Sequence, residues 1–201
     1  MKRMNVLLIL LVILSFGFKH AQLEDIERQK AVTELTKSRQ LLVKTVKGLS
    51  ESQWHFKPSE ASWSVAECME HLAISESSFA NMMEEALKTP ADPTKRNEVK
   101  ITDDQLMGMI ADRSNKVKTA KPFEPSGKLG THKDALKSFL AKRKKHIKYV
   151  KTTHDDLRHH YAQFPFGTVD ALQTLLFISA HTERHVAQMQ EVMGQKNFPR
   201  D

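Results

Sequence analysis

Residues 169–193 have the sequence VDALQTLLFISAHTERHVAQMQEVM, in which apolar side chains recur every three or four positions. That spacing predicts one long helix, and Gly194 directly after it is a typical helix end. His181 and His185 lie four residues apart, so a helix places both imidazoles on one face, with Cβ atoms about 5–6 Å apart. Two neutral imidazoles in this position can bind one divalent metal ion, although the spacing alone is a weak signal.

The same helical spacing extends over most of the chain and predicts an all-α protein. Further long helices are expected at about Leu23–Leu49 and at about Lys133–Lys151. The apolar stripe of the first consists of Ile26, Leu35, Leu42, Val46 and Leu49.

A second long helix has the clearest start signal in the chain. Ser64 and Glu67 have the spacing of a capping box, in which each side chain bonds the backbone N–H of the other residue. The helix is expected to continue to about Lys88. Its apolar stripe contains residues 65, 68, 72, 75, 79, 82 and 86, and His71 lies beside that stripe.

A long crossover separates the second long helix from the third. Thr102 and Gln105 also have capping-box spacing and predict a short helix that runs to about Val117. Residues 119–130 contain two prolines and two glycines and are typical of a loop. The predicted architecture is therefore an up-down four-helix bundle with a long crossover that contains one short extra helix.

The first 21 residues have the pattern of a secretory signal peptide. Lys2 and Arg3 precede an apolar run from Val6 to Phe18, and a small residue, Ala21, follows. The run is shorter than the roughly 20 apolar residues of a membrane span. We therefore expect cleavage to leave a single domain at residues 22–201, with no stable membrane span, in the periplasm or outside a bacterial cell.

The charge of the chain gives little support to nucleic-acid binding. Loss of Lys2, Arg3 and Lys19 with the signal peptide lowers the basic residues from 31 to 28 against 24 acidic ones, which is a net charge of +4. Cys68 is the only cysteine, so an internal disulfide cannot form. Its spacing beside His71 leaves three roles open: a small buried hydrophobe, a metal ligand or a nucleophile.

Three histidines form the candidate site. His71 on the second helix and His181 and His185 on the fourth are each expected to face the bundle interior or its edge, where bundles hold metals. Three protein ligands leave one coordination position for water or substrate. Alternatively, all three are hydrogen-bonded core residues. The zinc-protease pattern is absent, because Glu183 follows His181 by two residues rather than by one.

Two segments resemble one known family. Trp63-Ser-Val-Ala-Glu-Cys-Met-Glu-His71-Leu is similar to the second helix of the DinB-like superfamily, and Ala180-His-Thr-Glu-Arg-His185-Val-Ala-Gln-Met to its closing helix. The layout between them also matches, at Pro125–Gly127, Phe139, Arg143, Asp156–Arg158 and Phe166–Thr168. The resemblance covers about residues 24–194.

This resemblance implies a DinB/YfiT-like four-helix bundle that holds one divalent metal ion. Matched residue by residue, the implied ligands are His71, His181 and His185. Zinc and nickel are the expected ions, with iron and copper as alternatives, since imidazole suits all four. Members of the family are often homodimers, and we expect the same here.

Family members include thiol-dependent S-transferases and isomerases, so the resemblance implies that class of chemistry. A metal ion stabilises a thiolate, and it equally activates water for hydrolysis. Low-molecular-weight thiols are cytoplasmic, so export disfavours S-transfer. We expect an exported, metal-dependent, hydrolase-like or S-transferase-like enzyme that acts on an unidentified small molecule. The alternatives are a bundle that binds metal or a small ligand without turnover, and an interaction bundle without metal.

Arg143 lies on the apolar side of the third long helix. Two roles are open: it receives an anionic substrate group in the pocket, or it packs its stem at the core boundary and reaches solvent. Glu67 either orients His71 or belongs to the capping box. Trp54 and Phe56 either cover one end of the bundle or line the rim of the pocket.

Overall fold

The computed structural model describes residues 23–115 and 117–200. The predicted signal peptide, residues 1–21, lies outside the described residues. The helices are α1 Asp25–Val46, α2 Glu51–His55, α3 Val65–Leu87, α4 Asp103–Ala111, α5 His132–Thr152 and α6 Ala171–Met193. Two strands, β1 Tyr161–Phe164 and β2 Gly167–Asp170, and short 3-10 turns at Pro93–Glu98 and Lys121–Phe123 complete the elements.

The four long helices α1, α3, α5 and α6 form the predicted four-helix bundle. Helix α1 packs against α5 and α6, and α3 packs against the same two helices. Helices α1 and α3 therefore occupy diagonal positions, although they are consecutive long helices. The short α4, from the crossover, packs against α6. This arrangement places α3 beside α6, which is the pair that carries the three candidate histidines.

The apolar stripes bury most of the positions that the sequence predicts. In α1, Leu35, Leu42 and Val46 are buried, together with Ala31. Ile26 was expected in that stripe but is 75% exposed, because the buried face of α1 runs through Ala31 and Ser38 instead. Every residue of α6 from Ala171 to Ala180 is buried, on all sides of the helix.

Helix starts follow their capping boxes. Ser64 Oγ accepts from Glu67 N at 3.1 Å, and Glu67 Oε2 accepts from Ser64 N at 2.7 Å, so α3 begins where the sequence predicts. Helix α6 begins at Ala171, two residues after the expected Val169, because Asp170 caps it through Gln173 N at 2.7 Å.

A β-hairpin before α6 was not predicted. Strands β1 and β2 pair antiparallel, with Phe164 opposite Gly167, whose φ of 131° requires glycine. Helix α4 ends at Ala111 rather than at Val117. Its end has a physical cause, since Asp112 Oδ1 accepts from Ser114 N at 2.9 Å and so favours a turn over another helical residue.

Residues 51–55 of the predicted connector form the short helix α2, which buries Trp54 at 5% exposure. Trp54 therefore covers one end of the bundle. Among residues 23–115 and 117–200, no helix combines the length and the hydropathy needed to cross a membrane.

Candidate metal centre

The structure brings His71 of α3 together with His181 and His185 of α6. The Nε2 atom of His181 lies 3.2 Å from Nε2 of His71 and 3.2 Å from Nε2 of His185. His71 and His185 are buried, and His181 is partly exposed. Three ring nitrogens from two helices, 110 residues apart in sequence, therefore converge on one point.

The outer ring nitrogens show which tautomers are present. His71 Nδ1 lies 2.7 Å from the Phe123 carbonyl oxygen, so Nδ1–H must be the donor. His185 Nδ1 donates in the same way to Gln188 Oε1 at 2.9 Å. Each neutral ring then has a lone pair on Nε2, directed at the point of convergence. Outer hydrogen bonds of this kind are typical of metal-bound histidines.

The separations between the inner nitrogens suit one ion. Ligands about 2.0–2.1 Å from a tetrahedral zinc lie about 3.3 Å from each other, close to the two distances of 3.2 Å. In a centre without metal, His181 Nε2–H can donate to only one neighbour at a time. Ser75 Oγ, 3.5 Å from His71 Nε2, is too distant for a strong bond.

Electrostatics keep these imidazoles neutral. Burial, followed by the neighbouring His185 and His71, lowers the pKa of His181 well below its usual value. Burial and the nearby His71 likewise lower the pKa of His185. Burial also lowers the pKa of His71, against a smaller opposing effect of the Phe123 carbonyl. Neutral imidazole is the form that binds metal ions.

Glu70, next to His71 in sequence, anchors the loop that supplies the Phe123 carbonyl. Its Oε2 accepts from the backbone N–H of Ser126 at 3.1 Å and of Gly127 at 2.9 Å, and its Oε1 accepts from Leu129 N–H at 3.3 Å. The carboxylate therefore holds the crossover loop against α3. Sequence reasoning missed this role, because periodicity cannot identify a loop partner more than 50 residues away.

Aromatic rings surround the histidines. The ring of Phe177 stacks on His181 with centroids 5.7 Å apart, and Phe79 meets His181 edge-on at 5.6 Å. Trp63 lies 5.0 Å from the ring of His71 and 6.1 Å from that of His185. The histidine rings are thus packed on their apolar sides, which fixes their orientation.

A cavity of about 650 Å³ reaches the histidine cluster at His185. Trp63 and Gln188 line it together with His185, and so do charged side chains such as Arg113 and Glu191. Arg113 makes a bidentate ion pair there with Glu191, at 2.7 Å for each bond. A small molecule in this cavity would contact the cluster at His185.

Arg143 has neither of the two roles that the sequence left open. Its side chain is fully buried, and it makes a bidentate ion pair with Glu76, at 2.7 and 2.8 Å. The guanidinium also donates to Ser38 Oγ and Thr182 Oγ1. Arg143 therefore links α5 to α1, α3 and α6 inside the bundle, and does not face the cavity at His185.

Cys68 and Glu67, the two other candidates for a role at the metal site, contact other parts of the protein instead. Cys68 is fully buried, and burial raises the pKa of its thiol to about 12, so it is neither a ready nucleophile nor part of the histidine cluster. Glu67 is used by the capping box and by Lys57 Nζ at 3.0 Å, rather than by His71.

Comparisons with known proteins agree with this fold. The model of the DinB superfamily matches residues 34–189. The uncharacterized protein YuaE of Bacillus subtilis (strain 168) is 24% identical over 148 residues, which covers 73% of this chain and 87% of YuaE.

Among solved structures, the chain is similar to YfiT from Bacillus subtilis, a probable metal-dependent hydrolase with an unusual four-helix bundle topology. The TM-score is 0.55 at 16% identity, and the match covers 86% of this chain and 89% of YfiT. At this identity the likeness shows a shared fold.

Proposed function

The chain belongs to the DinB superfamily, and from this membership we propose that it is an exported metal-dependent hydrolase. His71, His181 and His185 would hold its divalent ion. The observation that carries the proposal is the convergence of three Nε2 atoms, two of them on rings whose Nδ1–H is already engaged by an oxygen acceptor.

The residues of the chain have distinct parts in this function. The three imidazoles would bind the ion, while the Phe123 carbonyl and Gln188 Oε1 hold two of the rings in the tautomer that leaves Nε2 free to ligate. Trp63 and Phe177 pack against the rings and exclude water from their apolar faces. When bound, a divalent ion with an open position lowers the pKa of a water or thiol that it contacts.

Hydrolysis is favoured over thiol transfer for two reasons. The chain shares its fold with YfiT, a probable metal-dependent hydrolase. The proposed export, which rests on residues 1–21, would also separate the protein from the cytoplasmic thiol pool. S-transfer therefore becomes the expectation if the protein stays in the cytoplasm.

Metal binding without turnover is the second candidate. Among the described residues, the cluster around the three histidines contains no carboxylate, so a general base would have to come from the bound substrate or from the cavity wall. A non-catalytic binding bundle needs no such group.

The test is a substrate screen of the metal-loaded protein. Activated esters, lactones and amides would be offered to the parent, to His181→Ala and to His154→Ala, which removes an exposed histidine outside the cluster. We expect the parent and His154→Ala to react at least roughly tenfold faster than His181→Ala. Equal rates for all three proteins would contradict the hydrolase proposal. Turnover only with added thiol would favour S-transfer.

A further inference from the structure

A second group of ligating side chains lies away from the three-histidine centre. It consists of Glu51 and His55 of α2 and His132, the first residue of α5. We propose that these three residues form a second site for a transition-metal ion, with zinc as the expected occupant. The site uses no residue of the first centre and does not depend on the proposed function.

Local structure brings the three ligands together. Glu51 and His55 are four residues apart on α2, so the helix presents both side chains on one face. Trp54 of the same helix stacks on His132, with ring centroids 4.3 Å apart and an interplanar angle of 22°. This stacking fixes the His132 ring against α2 and directs its edge towards Glu51.

The carboxylate of Glu51 lies between the two imidazoles. Its Oε1 is 3.7 Å from His132 Nε2, and its Oε2 is 3.7 Å from His55 Nε2. The three potential ligand atoms all lie within 4.8 Å of one another. Donor atoms on one zinc ion are about 3.3 Å apart, so only a small inward rotation is needed. The side chains of Glu51 and His55 are 66% and 61% exposed and are free to make it.

His132 supplies an independent indication of a ligand. Its Nε2 is buried, and within the described part of the chain it has no hydrogen-bond partner. Buried polar atoms are almost always partnered, so an exception calls for an explanation. A metal ion would satisfy this nitrogen.

The donor set selects the chemical class of the ion. Two imidazoles with one carboxylate form a known three-ligand arrangement for zinc, with a fourth position left for water or a small ligand. A cavity of about 580 Å³ borders all three residues and gives access to that position.

Lys133 competes for the same carboxylate. Its Nζ lies 3.2 Å from Glu51 Oε1, and this ion pair is exposed to solvent. Exposed ion pairs contribute little to stability, so an ion that binds Glu51 and both imidazoles can displace Lys133. Removal of the lysine should therefore leave zinc affinity unchanged or increase it.

The test uses the full chain without an affinity tag, carrying His181→Ala to remove the first centre. Zinc titration by calorimetry should give one equivalent. Adding Glu51→Gln or His55→Ala should weaken zinc binding at least tenfold. Loss of a residue that only hydrogen-bonds to a ligand already lowers metal affinity by about 10–100-fold. Both side chains are exposed, so these variants should fold. His154→Ala should keep the affinity of the background, and Lys133→Ala should keep or increase it.

Absence of zinc binding in the His181→Ala protein would overturn the second site. Binding that is unchanged by both Glu51→Gln and His55→Ala would also overturn it. If only the second site bound zinc, the results would differ. The chain without any substitution would then bind one equivalent of zinc. His55→Ala would abolish that binding, and His181→Ala would not change it.

Discussion

Glu70→Gln should release the crossover loop and weaken the metal centre without touching a ligand. The carboxylate accepts three backbone hydrogen bonds from the loop, at 2.9, 3.1 and 3.3 Å. An amide of the same shape keeps one acceptor oxygen and turns an N–H group towards the third donor. One hydrogen bond is therefore lost, and the other two become weaker because their acceptor is no longer charged.

The expected loss of loop stability follows from the usual free-energy contribution of such hydrogen bonds. A hydrogen bond to a charged group contributes about 1.5–3 kcal/mol and a neutral one about 0.5–1.5 kcal/mol. At the lower end of these ranges, loss of one bond and weakening of two gives about 3.5 kcal/mol, and solvent access to the freed N–H groups reduces this to about 2 kcal/mol. The loop then opens about 30-fold more often, at 1.4 kcal/mol per factor of ten.

Amide hydrogen exchange at Ser126, Gly127 and Leu129 measures this opening directly. Because the same loop carries the carbonyl that orients His71, zinc affinity at the first centre should fall about 10–100-fold. Glu124→Gln is the matched control, since it removes an exposed carboxylate from the same loop. Exchange within twofold of the parent, with unchanged zinc affinity, would refute the anchoring role of Glu70.

The buried ion pair, the neutral histidines and the proposed export each have a measurable consequence. Glu76→Gln leaves the buried Arg143 without its counter-charge and should lower the free energy of unfolding by about 3–5 kcal/mol in urea denaturation. The pKa values of His181 and His185 are lowered on folding from the ordinary 6.5, so the unfolded state binds more protons below about pH 6.5. Metal-free protein should therefore lose thermal stability as the pH falls from 7 to 5, and His185→Ala should lose less. N-terminal sequencing of exported protein should begin near Gln22.

Each of these has a clear contrary outcome. A denaturation midpoint for Glu76→Gln equal to that of the parent would mean that the buried ion pair contributes nothing. Equal pH dependence of the parent and His185→Ala would mean that the imidazole is not held neutral by the fold. Detection of the protein only in the cytoplasm, with Met1 intact, would remove the argument from export.

The sequence predicted the parts of this fold that depend on local pattern. Apolar periodicity identified α1, α3, α5 and α6, and the Ser64–Glu67 capping box fixed the start of α3 to the residue. The grouping of His71 with His181 and His185 needed the family resemblance, because spacing relates only the two residues that share α6. The structure places the three histidine side chains next to one another, as that resemblance implies.

The remaining features depend on contacts that a single sequence does not reveal. Periodicity showed that Arg143 is on an apolar face, but its partner Glu76 lies 67 residues away on another helix. The hairpin was missed because its strands have four residues each, too short for alternation to stand out. The sequence gives no signal for the role of Glu70, because its partners are backbone N–H groups of the loop at 126–129, more than 50 residues away.

Metal content by elemental analysis is the direct test of the three-histidine centre. The protein, purified without a His-tag and incubated with zinc or nickel, would be compared with His71→Ala, His181→Ala and His185→Ala. Each variant should contain one equivalent of metal less than the parent. Variants with the same metal content as the parent would contradict the three-histidine centre and leave these residues as part of the core.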